Sequence, residues 1–177
     1  MKIPKLLDRD ALMTYAGQAL AARAQSVSEL RTRLRRKASN KDDVEEILAY
    51  LKESGYADDQ RFAGAFAELR KENQGMGKAR VVRDLMARRV AQPLAQAAAE
   101  AAYKDTDEVK LVEDFLARKY RGKDLKSLLK EQKNWASAYR KLRVAGFGSS
   151  ASVRVLKQYA SAAEEIDETA LEEPEES

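Results

Sequence analysis

Apolar residues recur at helical spacing along almost the whole chain, which leaves little room for any fold but a helical one. In order, the stripes are Tyr15, Ala19, Leu20; Val27, Leu30, Leu34; Val44, Ile47, Leu48, Leu51; Phe62, Phe66, Leu69; Val81, Val82, Leu85; Leu94, Ala98, Ala101; Leu111, Val112, Phe115, Leu116; Trp135, Tyr139, Leu142; and Val153, Leu156, Ala160. They predict nine helices, most of them short. No segment alternates with period two for long enough to make a strand. Three prolines and eight glycines in 177 residues also suit helix better than sheet.

The stripes repeat. Leu34, Leu85 and Leu142 stand 51 and 57 residues apart, and each is followed at the same distance by an i, i+1, i+4 apolar set. Those sets are Ile47, Leu48, Leu51; Ala98, Ala99, Ala102; and Val155, Leu156, Tyr159. The expected architecture is all-α, an elongated, curved array of three tandem three-helix repeats. The expected boundaries are a lead at 1–10, repeats at 11–57, 58–104 and 105–163, and an acidic tail at 164–177. Such short helices are marginal alone and must bury their stripes against one another. Start signals fit the division. Ser26-x-x-Glu29 is a capping box, while Asn40, Asp58, Asn134 and Ser149 or Ser150 are candidate caps for later helices.

The stretch Leu51-Lys-Glu-Ser-Gly55-Tyr56-Ala-Asp58-Asp59-Gln-Arg61-Phe62 reads as punctuation between two helices. Gly55 suits the left-handed residue after a helix end, with Tyr56 expected against Leu51. Asp58 caps the next helix, Asp59 sits in its dipole-favoured first turn, and Phe62 opens its apolar face. Leu142-x-x-x-Gly146-Phe147 has the same spacing without the aspartates, so the glycine-aromatic part is structural. Leu85-x-x-x-Arg89-Val90 puts arginine where the other two have glycine. There, either the helix ends differently or the charge of Arg89 is useful.

The chain has no cysteine and no histidine. Disulfides, thiolate nucleophiles, histidine bases and histidine metal sites are therefore excluded. An Asp58/Asp59 metal site has no third ligand nearby in sequence. We expect no cofactor, no metal and no enzymatic activity. Gln74-Gly-Met-Gly-Lys78 lacks the spacing and the preceding strand of a phosphate loop. Trp135, Tyr139 and Tyr15 occupy apolar stripe positions and read as core. The absence of cysteine, of a signal-like N-terminal apolar core and of a run of about 18 apolar residues predicts a cytoplasmic protein without a membrane span.

Net charge is +4, unevenly distributed. Residues 161–177 hold eight acids and no base, leaving +12 on residues 1–160. A basic body suggests an anionic partner, and the tail could compete with it.

Four motifs in order resemble the RecX family of RecA regulators, over about residues 11–160. They are Leu20-Ala-x-Arg23-x-x-Ser26-x-x-Glu29-Leu30-x-x-x-Leu34, Gly55-Tyr56-x-Asp58-Asp59-x-x-Phe62-Ala63 after Leu51, Gly75-x-Gly77-x-x-Arg80-Val81-x-x-x-Leu85, and Leu142-x-x-x-Gly146-Phe147. Two places depart from the family's pattern. Arg88-Arg89-Val90 stands where it usually has Lys-Gly-Ile, and Val144-Ala145 where it usually has two arginines. The resemblance implies tandem three-helix repeats and a monomer that binds in the helical groove of the RecA filament on single-stranded DNA. It also implies inhibition of strand exchange and of RecA's ATP hydrolysis, with no catalysis of its own.

Basic residues fall on the same helix of each expected repeat. The first offers Arg31, Arg35, Arg36 and Lys37; the second Lys78, Arg80, Arg83, Arg88 and Arg89; the third Arg140, Lys141 and Arg143. This basic stripe is the candidate filament- and DNA-binding surface, with weak direct DNA binding as a corollary. The alternative is a helical DNA-binding module with residues 28–54 as helix-turn-helix. Against it, Asp42, Asp43, Glu45 and Glu46 would bring acids to the phosphates.

Overall fold

The computed structural model describes residues 6–159. Among them are ten helices and no strand, apart from a single parallel bridge between Leu7 and Ala38. The fold is all-α. The start of the expected lead and the acidic tail lie outside the described residues. The chain divides into two compact units, Met1–Thr106 and Asp107–Ser177.

The first unit holds six helices: α1 Arg9–Ala22, α2 Val27–Arg35, α3 Asp42–Glu53, α4 Asp59–Gln74, α5 Lys78–Ala87 and α6 Gln92–Tyr103. They form two trios with separate cores. Leu12, Ala16, Leu30, Leu34, Val44, Ile47, Leu48 and Leu51 close the core of α1–α3. Phe62, Ala63, Ala67, Val81, Leu85, Val90, Ala95 and Ala99 close that of α4–α6. Each fully buried leucine removes a side chain from water at roughly 1.5–3 kcal/mol, which is what holds helices of nine to sixteen residues in place. The α1 stripe is rotated from expectation. Leu12, Ala16 and Ala19 are buried, and Tyr15 and Leu20 only pack at the edge. Leu69, expected on the apolar face of α4, is exposed.

The second unit holds α7 Glu108–Lys119, α8 Leu125–Leu128, α9 Gln132–Val144 and α10 Ser149–Tyr159. Val112, Leu116, Leu129, Trp135, Leu142, Phe147, Val155 and Leu156 are buried. Phe115 and Phe147 meet edge to face at 5.4 Å. The one-turn α8 is the helix the periodicity missed, because four residues cannot display a stripe. Asn134 lies inside α9 and donates to Glu131, the actual N-cap residue. Ser149 is the first residue of α10 rather than its cap. Asn40 accepts from the Asp42 amide at 3.1 Å, but α3 starts one residue later, after Lys41.

The glycine-aromatic device is built differently in its two copies. At the end of α9, Gly146 is left-handed (φ 92°) and the Phe147 amide donates to Leu142 O at 3.1 Å. At the end of α3, Gly55 is left-handed (φ 71°), but the amide that reaches Leu51 O, at 3.0 Å, belongs to Ala57. Ala57 is therefore the buried residue, and Tyr56, expected against Leu51, is 65% exposed. One additional residue in the turn carries the tyrosine outward. At the end of α5 the Val90 amide closes on Leu85 O at 3.1 Å, the geometry of the α9 end, with Arg89 in glycine's place at φ 62°.

Arg89 is the one non-glycine residue with positive φ among the described residues. A left-handed L-residue costs about 1–2 kcal/mol relative to glycine. Arg89→Gly and Arg89→Ala both remove the side chain, so their difference isolates the backbone term. Arg89→Ala is expected to be less stable than Arg89→Gly by about 1 kcal/mol in urea unfolding.

Candidate functional site

The second helix of each trio in the first unit presents its cations because its apolar residues turn inward. In α2, Val27, Leu30 and Leu34 are buried, which points Arg31 and Arg35 outward. Both converge on Glu45 of α3, at 3.2 and 2.8 Å. Arg36 is exposed and Lys37 half-buried, and neither forms an ion pair with a described residue. In α5, Val81 and Leu85 are buried. Lys78 meets Glu100 at 2.8 Å, and Arg80 meets Asp84 at 2.8 Å, which Arg70 also approaches at 3.1 Å. Arg83 is exposed. With Lys78, Ala79 and Val82 of α5 and Gln96, Ala97 and Glu100 of α6 it borders an open groove of about 620 Å³.

Arg88 and Arg89, at the end of α5, turn toward the first trio. Arg88 donates to both oxygens of Glu29, at 3.1 and 3.0 Å, and to Ala24 O at 3.3 Å. Its guanidinium lies 5.0 and 5.4 Å from the rings of Phe62 and Phe66. Its own carbonyl accepts from the Ser26 hydroxyl at 2.6 Å. Ser26 and Glu29 are the capping box of α2, so Arg88 grips the two residues that start that helix. Arg89 donates to Thr32 of α2 at 2.8 Å. Arg88 was expected to project from the stripe, but only 24% of its side chain is exposed. Burial alone would raise the Glu29 carboxyl. Hydrogen bonds from Arg88 and the Ser26 amide, with the charges of Arg88 and Arg23, outweigh it and hold the carboxyl below its ordinary value.

The two aspartates of the punctuation motif have separate tasks. Asp58 accepts from the Gln60 and Arg61 amides at 2.8 and 3.0 Å, capping α4. Asp59 accepts from the Val27 amide at 2.8 Å, an orphan donor at the start of α2. Sequence reasoning placed Asp59 in its own helix dipole and missed this reach across trios. No grouping of acids able to hold a metal occurs among the described residues. No helix there is long and apolar enough to cross a membrane.

In the second unit Arg140 is exposed. Lys141 reaches the Tyr120 hydroxyl at 3.3 Å, with its ammonium 5.2 Å from that ring. Arg143 turns back to Phe147 O at 2.6 Å. The stripe reading overlooked a further basic stretch that runs from the last turn of α7 to the start of α9. Arg118, Lys119, Arg121, Lys123, Lys126 and Lys130 are all exposed. Its signal was charge density, which a search for matching repeat positions passes over.

Residues 58–98 match the family described as "RecX, second three-helix domain". Regulatory protein RecX of Shigella sonnei is 31% identical over 138 residues, which cover 72% of this chain and 77% of that protein. The chain belongs to the RecX family. Regulatory protein RecX of Deinococcus radiodurans is 32% identical over 142 residues, 80% of this chain and 65% of that longer relative. The crystal structure of RecX from Lactobacillus salivarius superposes with a TM-score of 0.67 over 85% of this chain and 96% of that one. At 17% identity this likeness shows the shared fold. Membership makes the chain one of a family of regulatory proteins.

The Glu29–Arg88 pair gives a test with a definite sign. A carboxyl whose folded pKa is lowered contributes stability above its unfolded value, near 4.5, and loses it as pH falls through the folded value. Glu29→Gln is expected to lower stability by about 1–3 kcal/mol at pH 7. The difference from wild type should shrink as unfolding is measured at pH values descending below about 4.5.

Proposed function

We propose that this chain binds in the helical groove of the RecA filament on single-stranded DNA and inhibits the recombinase and its ATP hydrolysis. On this reading it modulates recombination and the SOS response, acts in the cytoplasm as a monomer, and is not an enzyme. The observation that carries the reading is the recurrence of outward cations on α2, α5 and α9, in a member of the RecX family. Helical repeats suit a helical partner, because units spaced along the chain meet subunits spaced along a filament. We take the units as 11–57, 58–104 and 105–163, each contributing one basic helix.

Within the stripe the residues divide by what already holds them. Arg88 serves the joint between trios, and Arg31, Arg35, Lys78 and Arg80 have carboxylate partners. Arg89 is held by Thr32 of α2, and Arg36, Lys37 and Arg140 are the members we assign first to the filament. A helix-turn-helix at 28–54 is less well supported. The first turn of α3 holds Asp42, Asp43 and Glu45, and Glu45 is engaged by two arginines of α2.

The deciding experiment is RecA ATP hydrolysis on single-stranded DNA with increasing amounts of this protein. Inhibition is expected at amounts well below RecA. Absence of inhibition even in low salt would overturn the reading. Arg36→Glu with Arg140→Glu is expected to weaken filament binding at least tenfold with helix content unchanged, and unaltered binding would move the site elsewhere. A version ending at residue 160 that inhibits more strongly would show the acidic tail to compete with the filament.

A further inference from the structure

The cations of the second unit differ from those of the first in one respect that the sequence does not display. In the first unit five stripe cations have a carboxylate within 3.2 Å. In the second, residues 118–130 carry six bases against one acid, Asp124. None of the six forms an ion pair with a described residue. Asp124 is occupied as the cap of α8, accepting from the Lys126 amide at 3.1 Å. Arg118 alone of the six makes a side-chain hydrogen bond to a described residue, to the backbone O of Asp114 at 3.3 Å.

The needs of the fold account for only part of this charge. Arg118 and Lys119 close the last turn of α7, where the helix dipole favours cations. Arg121, Lys123 and Lys130 lie outside any helix. Arg121 and Lys123 sit on a built turn: the Tyr120 amide returns to Leu116 O at 2.9 Å, Gly122 is left-handed at φ 79°, and the Lys123 amide donates to Tyr120 O at 2.9 Å. Lys141 of α9, held against Tyr120, adds a further cation beside the turn. Mutual repulsion makes such a grouping unfavourable by itself, and a polyanionic partner would relieve it.

We propose that residues 118–130, with Lys141, form a direct contact for the phosphate backbone of a nucleic-acid strand. A protein partner would ask for an apolar centre inside a polar rim. This stretch offers none: Leu125 and Leu128 are half-buried and Leu129 is buried beneath the bases. Flexible, hydrated lysines and arginines without a fixed acceptor suit the repeated point charges of a phosphate chain, which positions a protein without being read for sequence. Apart from Lys141 the site lies outside the basic stripe, and it does not depend on the assignment of that stripe to the filament.

The test is fluorescence anisotropy of a labelled oligothymidylate, without RecA, between about 50 and 200 mM salt. Three proteins are compared: wild type, Arg121→Ala/Lys123→Ala/Lys130→Ala, and a control with equal charge loss, Lys41→Ala/Lys52→Ala/Lys104→Ala. All six positions are exposed, and helix content checks that each variant is folded. The first variant is expected to reduce the slope of log affinity against log salt by about 2, some 0.7 per phosphate lost from a single strand. The control should keep the wild-type slope. Equal reductions in both variants would reduce the effect to net charge and overturn the proposal. So would an unchanged slope in the first variant, or no wild-type binding at the lowest salt. A second variant, Lys119→Ala/Lys126→Ala, is expected to lower the slope in proportion. Failure here would leave RecA inhibition standing, and failure of inhibition would leave this contact standing.

Discussion

The first unit depends on how α2 begins. A helix N-terminus leaves amides without partners, and here they are met from several directions. Ser26 and Glu29 satisfy each other's backbone, Asp59 of the second trio takes the Val27 amide, and Arg88 closes over the Glu29 carboxylate. Phe62 and Phe66 lie beside the guanidinium and limit its access to water. A charged pair in so little water is strong only when each polar atom is matched, and here each oxygen of Glu29 receives Arg88. The two trios have separate cores, so this polar joint sets where the basic face of α2 stands relative to that of α5.

Helix existence was legible in the sequence because burial imposes a period of 3.6 on every helix long enough to show it. Nine of the ten described helices announced themselves in this way. The exception, α8, is one turn long, and its place was marked only by the capping Asp124. Turn detail was less legible. The Gly55 and Gly146 motifs look alike in sequence, yet one closes on the residue after the glycine and the other a residue later. Hydrogen-bond register within a turn depends on where the next helix must start. At α4 that start is fixed by Asp58 and by the reach of Asp59 to Val27.

The charge pattern was legible as composition and only partly as a site. Sequence assigned Arg88 to a binding stripe, whereas the fold uses it between trios; no local pattern reveals a partner 59 residues away. Its neighbour Arg89 posed the complementary question. Of the two alternatives raised by that arginine the first fails, since the helix ends with the same left-handed geometry as the α9 end, while the side chain is used, on Thr32. The dense bases after α7 were visible throughout, but their lack of counter-ions emerges only once each acid's occupation is known.

Alanine gives α6 a character unlike that of its neighbours. Its outward ridge is low, and Ala97 borders the open grooves on both flanks, about 620 and 330 Å³. Methyl groups let the helix lie close to α4 and α5 but leave few atoms to attract across the gaps. The close approach joins the three helices through one buried core, and polar latches add to it at the helix ends. Lys71 reaches Ala102 O at 2.6 Å, and Tyr103 donates to Met76 O at 2.5 Å, its phenol pushed up to about 12 by burial and by Glu68. A trio brought this close by small side chains is held by backbone proximity as much as by side-chain bulk, so a larger residue at the fully buried Ala95 or Ala99 would force its helices apart.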